Sequence, residues 1–199
     1  MKKDLLMSVL AIVIAAAILL GLSWGLKGVA AANAQEDHLK LLKMMSPGSE
    51  NFTLEPYSGD DTNIRSVHKG EKGFVIETVT YGYAGDITML IGVSNEGKVT
   101  GLVVRELHET YGLGAEALTD VDFLAQFLNS SGEFAIATSD ADAFSGATAE
   151  VTESTGDTTD VDALTGATVT SKAIVRAINS AIAYVTGADV TSSATSWGG

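Results

Sequence analysis
The longest apolar run constrains this chain more than any other feature. From Leu5 to Leu26 no charged residue interrupts 22 positions, and Lys2 and Lys3 precede the run. At about 1.5 Å rise per residue such a helix is ~33 Å long, against ~30 Å for the hydrocarbon core of a bilayer. Trp24 suits the far interface, and the two lysines favour a cytoplasmic N-terminus. Residues 1–28 are therefore expected to be a transmembrane anchor in the cytoplasmic membrane, with the rest of the chain extracytoplasmic. A signal peptide cut after Ala32-Asn33-Ala34 is the alternative. The run is longer than an ordinary signal core, and Lys27 interrupts the approach to that cut.

The remainder has room for one domain. The chain has 199 residues, of which 46% are hydrophobic, and carries a formal net charge of -13. That charge argues against nucleic acid, whose phosphates need lysine and arginine partners, and against docking on anionic lipid. Cysteine is absent, which excludes disulfides, thiolate clusters and cysteine zinc sites. Only His38, His68 and His108 are available as imidazole ligands, so no metal site is expected. If the chain carries electrons, an organic cofactor must do it.

Residues 29–72 read as a membrane-proximal helix and linker. Leu39, Leu42 and Met45 stand at helical spacing before Pro47-Gly48, and a polar, turn-rich stretch runs on to Lys72. The domain proper is expected over 73–186. "GFVIETVTYGY" reads as a strand, with Tyr81 and Tyr83 as packing residues at its end, and "DITMLIGVSNEGKVTGLVVREL" reads as a hairpin around Ser94-Asn95-Glu96-Gly97. A helix is expected from Thr119 or Asp120 through Phe123, Leu124, Phe127 and Leu128, then a strand in "GEFAIATSD". Residues 140–162 have loop composition. Ala173, Ile174, Ala177, Ile178, Ala181, Ile182 and Val185 predict a long amphipathic helix. The tail 187–199 is expected to fray.

The phrase "DALTGATVTS", Asp162 to Ser171, lies where a loop enters that last helix, and a near copy, "DAFSGAT", runs from Asp142 to Thr148. A helix start offers free N–H groups and a favourable dipole to an anion. Gly166 permits close backbone approach, Ala167 adds no bulk, and Thr168, Thr170 and Ser171 offer hydroxyls. Plain helix capping by a Ser or Thr explains part of this pattern equally well. It does not explain the acidic residue at fixed distance or the repetition.

The phrase resembles the flavinylation motif of the FMN-binding domain shared by the RnfG and NqrC subunits of Rnf and Nqr complexes. In that family Asp, two residues, Ser or Thr, Gly and Ala precede a Thr or Ser that takes FMN as a phosphoester; Asp162, Thr165, Gly166, Ala167 and Thr168 match it. A second block is similar in Glu109, Thr110, Gly112, Leu113 and Gly114, with Tyr111 where the family has proline, so φ is not fixed there. A third is Gly82-Tyr83-Ala84-Gly85-Asp86-Ile87. The RnfG type is the nearer likeness, since NqrC chains are longer in the middle.

The resemblance implies an α+β fold: a transmembrane helix, then a curved, mainly antiparallel sheet packed against helices. It implies FMN held covalently through Thr168, with Glu109 and Thr110 touching the flavin. A separate flavin transferase would activate the hydroxyl, which is a weak nucleophile unaided. The implied role is a non-autonomous electron-transfer subunit of an ion-translocating ferredoxin:NAD oxidoreductase, with membrane and cluster-bearing subunits as partners. The alternatives are a stand-alone extracytoplasmic FMN carrier and a non-redox surface domain binding a phosphate-bearing ligand. His108 reads as structural rather than catalytic. Asp140, Asp142, Asp157 and Asp160 lack the ligand spacing of an EF-hand.

Overall fold
The computed structural model describes residues 14–18, 20–21, 32–108, 120–136 and 158–188. The chain divides into two compact units, Met1–Leu41 and Leu42–Gly199. Helix α1 covers residues 32–45 and stops at Pro47, with Gly48 at φ 86°. Proline cannot continue a helix and glycine tolerates the left-handed turn that follows.

Five strands follow: β1 (Thr53–Glu55), β2 (Ile64–Lys69), β3 (Gly73–Tyr81), β4 (Asp86–Ser94) and β5 (Val99–Leu107). They form one sheet in chain order, every pair antiparallel. The links after β2 are short hairpins, as in the Asn95–Gly97 turn, where Gly97 sits at φ 80°. Helix α2 (Val121–Ala125) leads to β6 (Glu133–Ile136), which pairs in parallel with β7 (Thr158–Val161) as a separate two-stranded sheet. Helix α3 (Thr168–Thr186) closes the described fold.

Two expectations are corrected here. Among the described residues no helix is long and apolar enough to cross a membrane. Of the run 5–26, helix is described only at 14–18 and 20–21, and the rest lies outside the described residues. The transmembrane anchor, and the single-pass extracytoplasmic placement drawn from it, have no support in the structure. The expected curved sheet is also not found: the five strands form an open meander with β1 and β5 as its edges, neither curled nor closed. Physically, an apolar run of the right length is compatible with a span but does not by itself establish one.

The core lies between α3 and one face of the sheet. Ile76 of β3, with Ile87, Met89, Ile91 and Val93 of β4, meets Ala173, Ile174, Ala177, Ile178 and Ala181 of α3, all fully buried. Full burial of each such isoleucine contributes about 1.5–3 kcal/mol. The opposite face is covered in part by the end of α1, where Leu42 and Met45 are buried. A Cβ at Gly92 would collide with the Met45 carbonyl oxygen, so that backbone approach requires glycine. The helix α2 is shorter than expected. Asn129, at φ 61°, turns the chain so that its N–H donates to the Val99 carbonyl and Val99 N–H donates to Ser130. Phe127 nevertheless stays fully buried, packed edge-on against Phe123 and Phe134.

The orientation of α3 is fixed at three places. Tyr184 near its end packs edge-on against Phe74 and Tyr57, with centroids 5.8 and 5.9 Å away. Ser180 accepts a hydrogen bond from the Asn63 amide at 3.1 Å. Arg176 Nη2 donates to the Tyr81 carbonyl at 3.0 Å. Phe74 begins β3 and Tyr81 ends it, so α3 runs antiparallel to β3 and its N-terminus lies toward the β3–β4 turn.

Glu71, in the β2–β3 turn, latches the segment after α1. Its carboxylate accepts from the Asn51 side-chain amide at 2.9 Å and from the main-chain N–H groups of Glu50 and Asn51 at 3.0 and 3.3 Å. The Asn51 amide first, then the main-chain donors, hold the carboxyl down from 4.5 to about 2. A depressed carboxyl stabilises the fold above its ordinary value, and that contribution is lost as pH falls through the folded value. Glu71→Gln is therefore expected to unfold earlier than the parent in denaturant at pH 7. The difference should be complete above about pH 4.5 and gone near pH 2; a gap independent of pH would refute the latch.

Candidate functional site
The loop from β7 to α3 is held in one shape by a few hydrogen bonds. Gly166 sits at φ 78°, a left-handed conformation that side chains resist, and Ala167 N–H donates to the Leu164 carbonyl at 3.0 Å to close the turn. The fully buried Ser171 hydroxyl accepts from Leu164 N–H at 3.2 Å and donates to the Ala167 carbonyl at 3.0 Å. One turn upstream, Gln126 clamps the main chain of Asp162. Its Oε1 accepts from Asp162 N–H at 2.8 Å, and its Nε2 donates to the Asp162 carbonyl at 3.4 Å. With its backbone satisfied, Asp162 leaves its carboxylate exposed and without a hydrogen bond among the described residues.

Thr168 is the first helical residue of α3 and is half-buried. The N-cap is Ala167, whose side chain makes no capping bond. Neither Thr165 nor Thr168 stands in the capping position, so helix capping does not account for the hydroxyl-rich phrase. Among the described residues no N-cap side chain serves the first-turn N–H groups of α3, which with the helix dipole suit an anion. Thr165 and Gly166 are exposed, Ala167 is buried, and Thr170 is 1% exposed, facing the core rather than a ligand.

The third sequence block forms the β3–β4 turn. Gly82 N–H donates to the Gly85 carbonyl at 2.8 Å, and a Cβ on Gly85 would lie 2.8 Å from His108. His108 N–H donates to the Asp86 carbonyl at 3.2 Å. Glu109, Thr110, Gly112 and Leu113, with the rest of the second block, lie outside the described residues, as does the copy at 142–148. The entry to the second block is thus fastened to the third, and Arg176 fastens the third to the helix that follows the first. Tyr81 and Tyr83 are not packing residues: they are 64% and 68% exposed on this turn.

Sequence reasoning passed over Gln126 and Arg176. Gln126 is 36 residues from Asp162 and carries no motif. Arg176 was masked by the apolar stripe around it, although its spacing of eight from Thr168 places it two turns along the helix.

An α+β domain whose long helix starts at a hydroxyl-bearing residue, with no side-chain cap at its N-cap, has the parts of an anion-holding site. Residues 82–183 match the FMN-binding domain family, and the chain belongs to that family. A stretch of 46 residues is 44% identical to the G subunit of the Na(+)-translocating ferredoxin:NAD(+) oxidoreductase complex of Acetobacterium woodii. It covers 23% of this chain and 22% of that protein, so less than a quarter of the relative's length is matched. Among solved structures, NqrC of Shewanella oneidensis is similar at 20% identity, over 69% of this chain and 65% of that one, with a TM-score of 0.43.

The clamp on the loop has a measurable consequence. Ser171→Ala removes a buried hydroxyl that serves two main-chain groups, at a cost of about 1–3 kcal/mol. Amide exchange at Leu164 should accelerate more than exchange at Ile76 in the sheet. Equal acceleration at both positions would show that Ser171 does not hold the loop in particular.

Proposed function
We propose that this chain is an electron carrier whose FMN is joined as a phosphoester to Thr168. The observation that carries the reading is the uncapped start of α3, with Thr168 as its first residue, in a member of the FMN-binding domain family. The residues present fit the group. A phosphate needs donors, and the first turn of α3 has them. A linkage needs a hydroxyl on accessible backbone, and Thr168 follows the exposed Gly166 turn.

Bound there, FMN supplies acceptance and release of electrons. The chain supplies the rest. Gln126 and Ser171 hold the loop, which steadies the backbone that leads into Thr168. The helix dipole offsets phosphate charge. The exposed Asp162 carboxylate is available to the flavin transferase that activates the hydroxyl, the role the flavinylation motif implies for it. Glu109, Thr110, Gly112 and Leu113 are proposed to meet the flavin from the second block. Thr170 belongs to the site through packing that seats the helix start.

A redox carrier needs a donor and an acceptor, because the chain has no cluster ligands and no dinucleotide fingerprint. The stand-alone carrier serving a separate reductase is the simpler form of the reading. A place within a multisubunit ferredoxin:NAD oxidoreductase is a second form, favoured by the 46-residue likeness to the Acetobacterium woodii protein. Capture with cluster-bearing subunits separates the two forms.

The near copy ending at Thr148 is followed by Ala149-Glu150-Val151-Thr152-Glu153, whose two carboxylates repel a phosphate. One FMN, on Thr168, is therefore expected. Co-expressed with a flavin transferase, the protein should keep yellow absorbance through denaturation and precipitation, and peptide mass mapping should place the flavin on Thr168. Thr168→Val, nearly isosteric, should lose it with the fold intact, while Thr148→Val should not. Full flavin content in the Thr168→Val protein would end the assignment, and comparable occupancy on Thr148 would end the single-site claim.

A further inference from the structure
The solvent side of α3 is narrow. From Thr168 to Ala183 only Val169, Lys172 and Arg176 are exposed, with Thr168 and Asn179 half-buried. Thr168, Lys172 and Arg176 are spaced by four, so they succeed one another along neighbouring turns of one helix face. At about 1.5 Å per residue the row is ~12 Å long. Its far end is fixed, since Arg176 donates to the Tyr81 carbonyl at 3.0 Å beside the exposed rings of Tyr81 and Tyr83.

Two facts bear on this row. The chain as a whole carries a formal charge of -13. Among the other described cations, Lys40 is matched to Glu36, Lys43 to Glu50, Lys69 to Glu55 and Arg105 to Glu77, Lys72 and Lys98 both act on Glu96, and Arg65 on β2 has no ion pair within the described residues. Lys172 and Arg176 have no carboxylate within ion-pair distance among the described residues. In an acidic chain, unmatched neighbouring cations on one face leave a local positive field.

We infer that Lys172 and Arg176 form a cationic row that sets the reduction potential of a flavin attached at Thr168. The inference rests on the Thr168 reading and deepens it. Two-electron reduction of the flavin ring with uptake of one proton adds one negative charge. A positive row beside the ring stabilises that product more than the oxidised form and so raises the potential. Arg176 is the principal member, because its hydrogen bond to Tyr81 holds the guanidinium in place. Lys172, nearer the attachment point, chiefly offsets the phosphate charge, which is present in both redox states. The row is exposed, so its effect is modest and screened by salt.

The test uses the flavinylated full chain, titrated with dithionite as reductant, in the parent and in Arg176→Gln, Arg176→Lys and Lys172→Gln. Mass mapping of each protein first locates the flavin. Arg176→Gln is expected to lower the equilibrium constant for reduction about fivefold at low salt, which is about 20 mV more negative for a two-electron couple. Arg176→Lys should restore most of the shift, Lys172→Gln should move the potential less than Arg176→Gln, and high salt should shrink all differences. Flavin on Thr168 with a potential indifferent to Arg176→Gln, or a shift that lysine does not rescue, overturns the row while leaving the attachment site standing. Flavin found on another residue overturns both, and the mapping shows that it is the attachment that failed.

Discussion
Everything at the candidate site depends on how α3 is seated. Its buried isoleucines and alanines fit the apolar face made by β3 and β4, and this packing supplies the adhesion. Direction comes from elsewhere. The Tyr184, Phe74 and Tyr57 rings hold one end, and the hydrogen bond from Arg176 to the Tyr81 carbonyl holds the middle of the helix. Apolar contact is non-directional and tolerates sliding, whereas these polar and aromatic contacts have geometry. Together they bring the helix start to the end of the sheet where the β3–β4 turn and His108 lie.

The sequence was most legible where one period dominated. The stripe from Ala173 to Val185 predicted α3, and two apolar runs around a glycine turn predicted β4 and β5. It was least legible where a short element draws stability from distant partners. β2 has a register shift between Ile64 and Ser66 that breaks its alternation, so it hid in a polar stretch with β1. β7 buries only Val161 and exists through pairing with β6 from before the intervening segment. α2 was expected to run further, but Asn129 and Ser130 bond to Val99, a tertiary pairing that no local pattern announces. The apolar N-terminal run misled most. Its length matched a bilayer, but hydropathy measures compatibility with lipid, and no helix of that length is found among the described residues.

For the site, local chemistry left capping and anion binding open. The structure weighs against capping, since Ala167 occupies the N-cap without a capping bond. Thr170, grouped with the site hydroxyls from sequence, is a core residue, because helical spacing turns it toward the sheet. Tyr81 and Tyr83 moved the opposite way, from expected packing to exposure, because the hairpin turns before their rings can be covered. Gln126 illustrates a further limit. A side-chain amide can match both groups of a peptide unit, and nothing in its own neighbourhood reveals which unit it will clamp.

An open site also bears on why a tether would be used. Small ligands held without a bond are usually largely enclosed by a pocket, and it is this enclosure that offsets the lost translational and rotational freedom. On the described side Asp162, Thr165, Gly166, Val169, Lys172 and Arg176 are exposed, and the loop is polar and small. Such a surface can orient a phosphate but buries little apolar area around it. Under the proposed reading, a phosphoester to Thr168 would remove the need for burial, since the cofactor could not then diffuse away. Exposure becomes an advantage for a carrier, whose cofactor must be approached by both donor and acceptor. The stiffness of the loop then matters more than its grip: a tethered group on a mobile loop would sample many positions, and the bonds from Gln126 and Ser171 restrict that range from the backbone side.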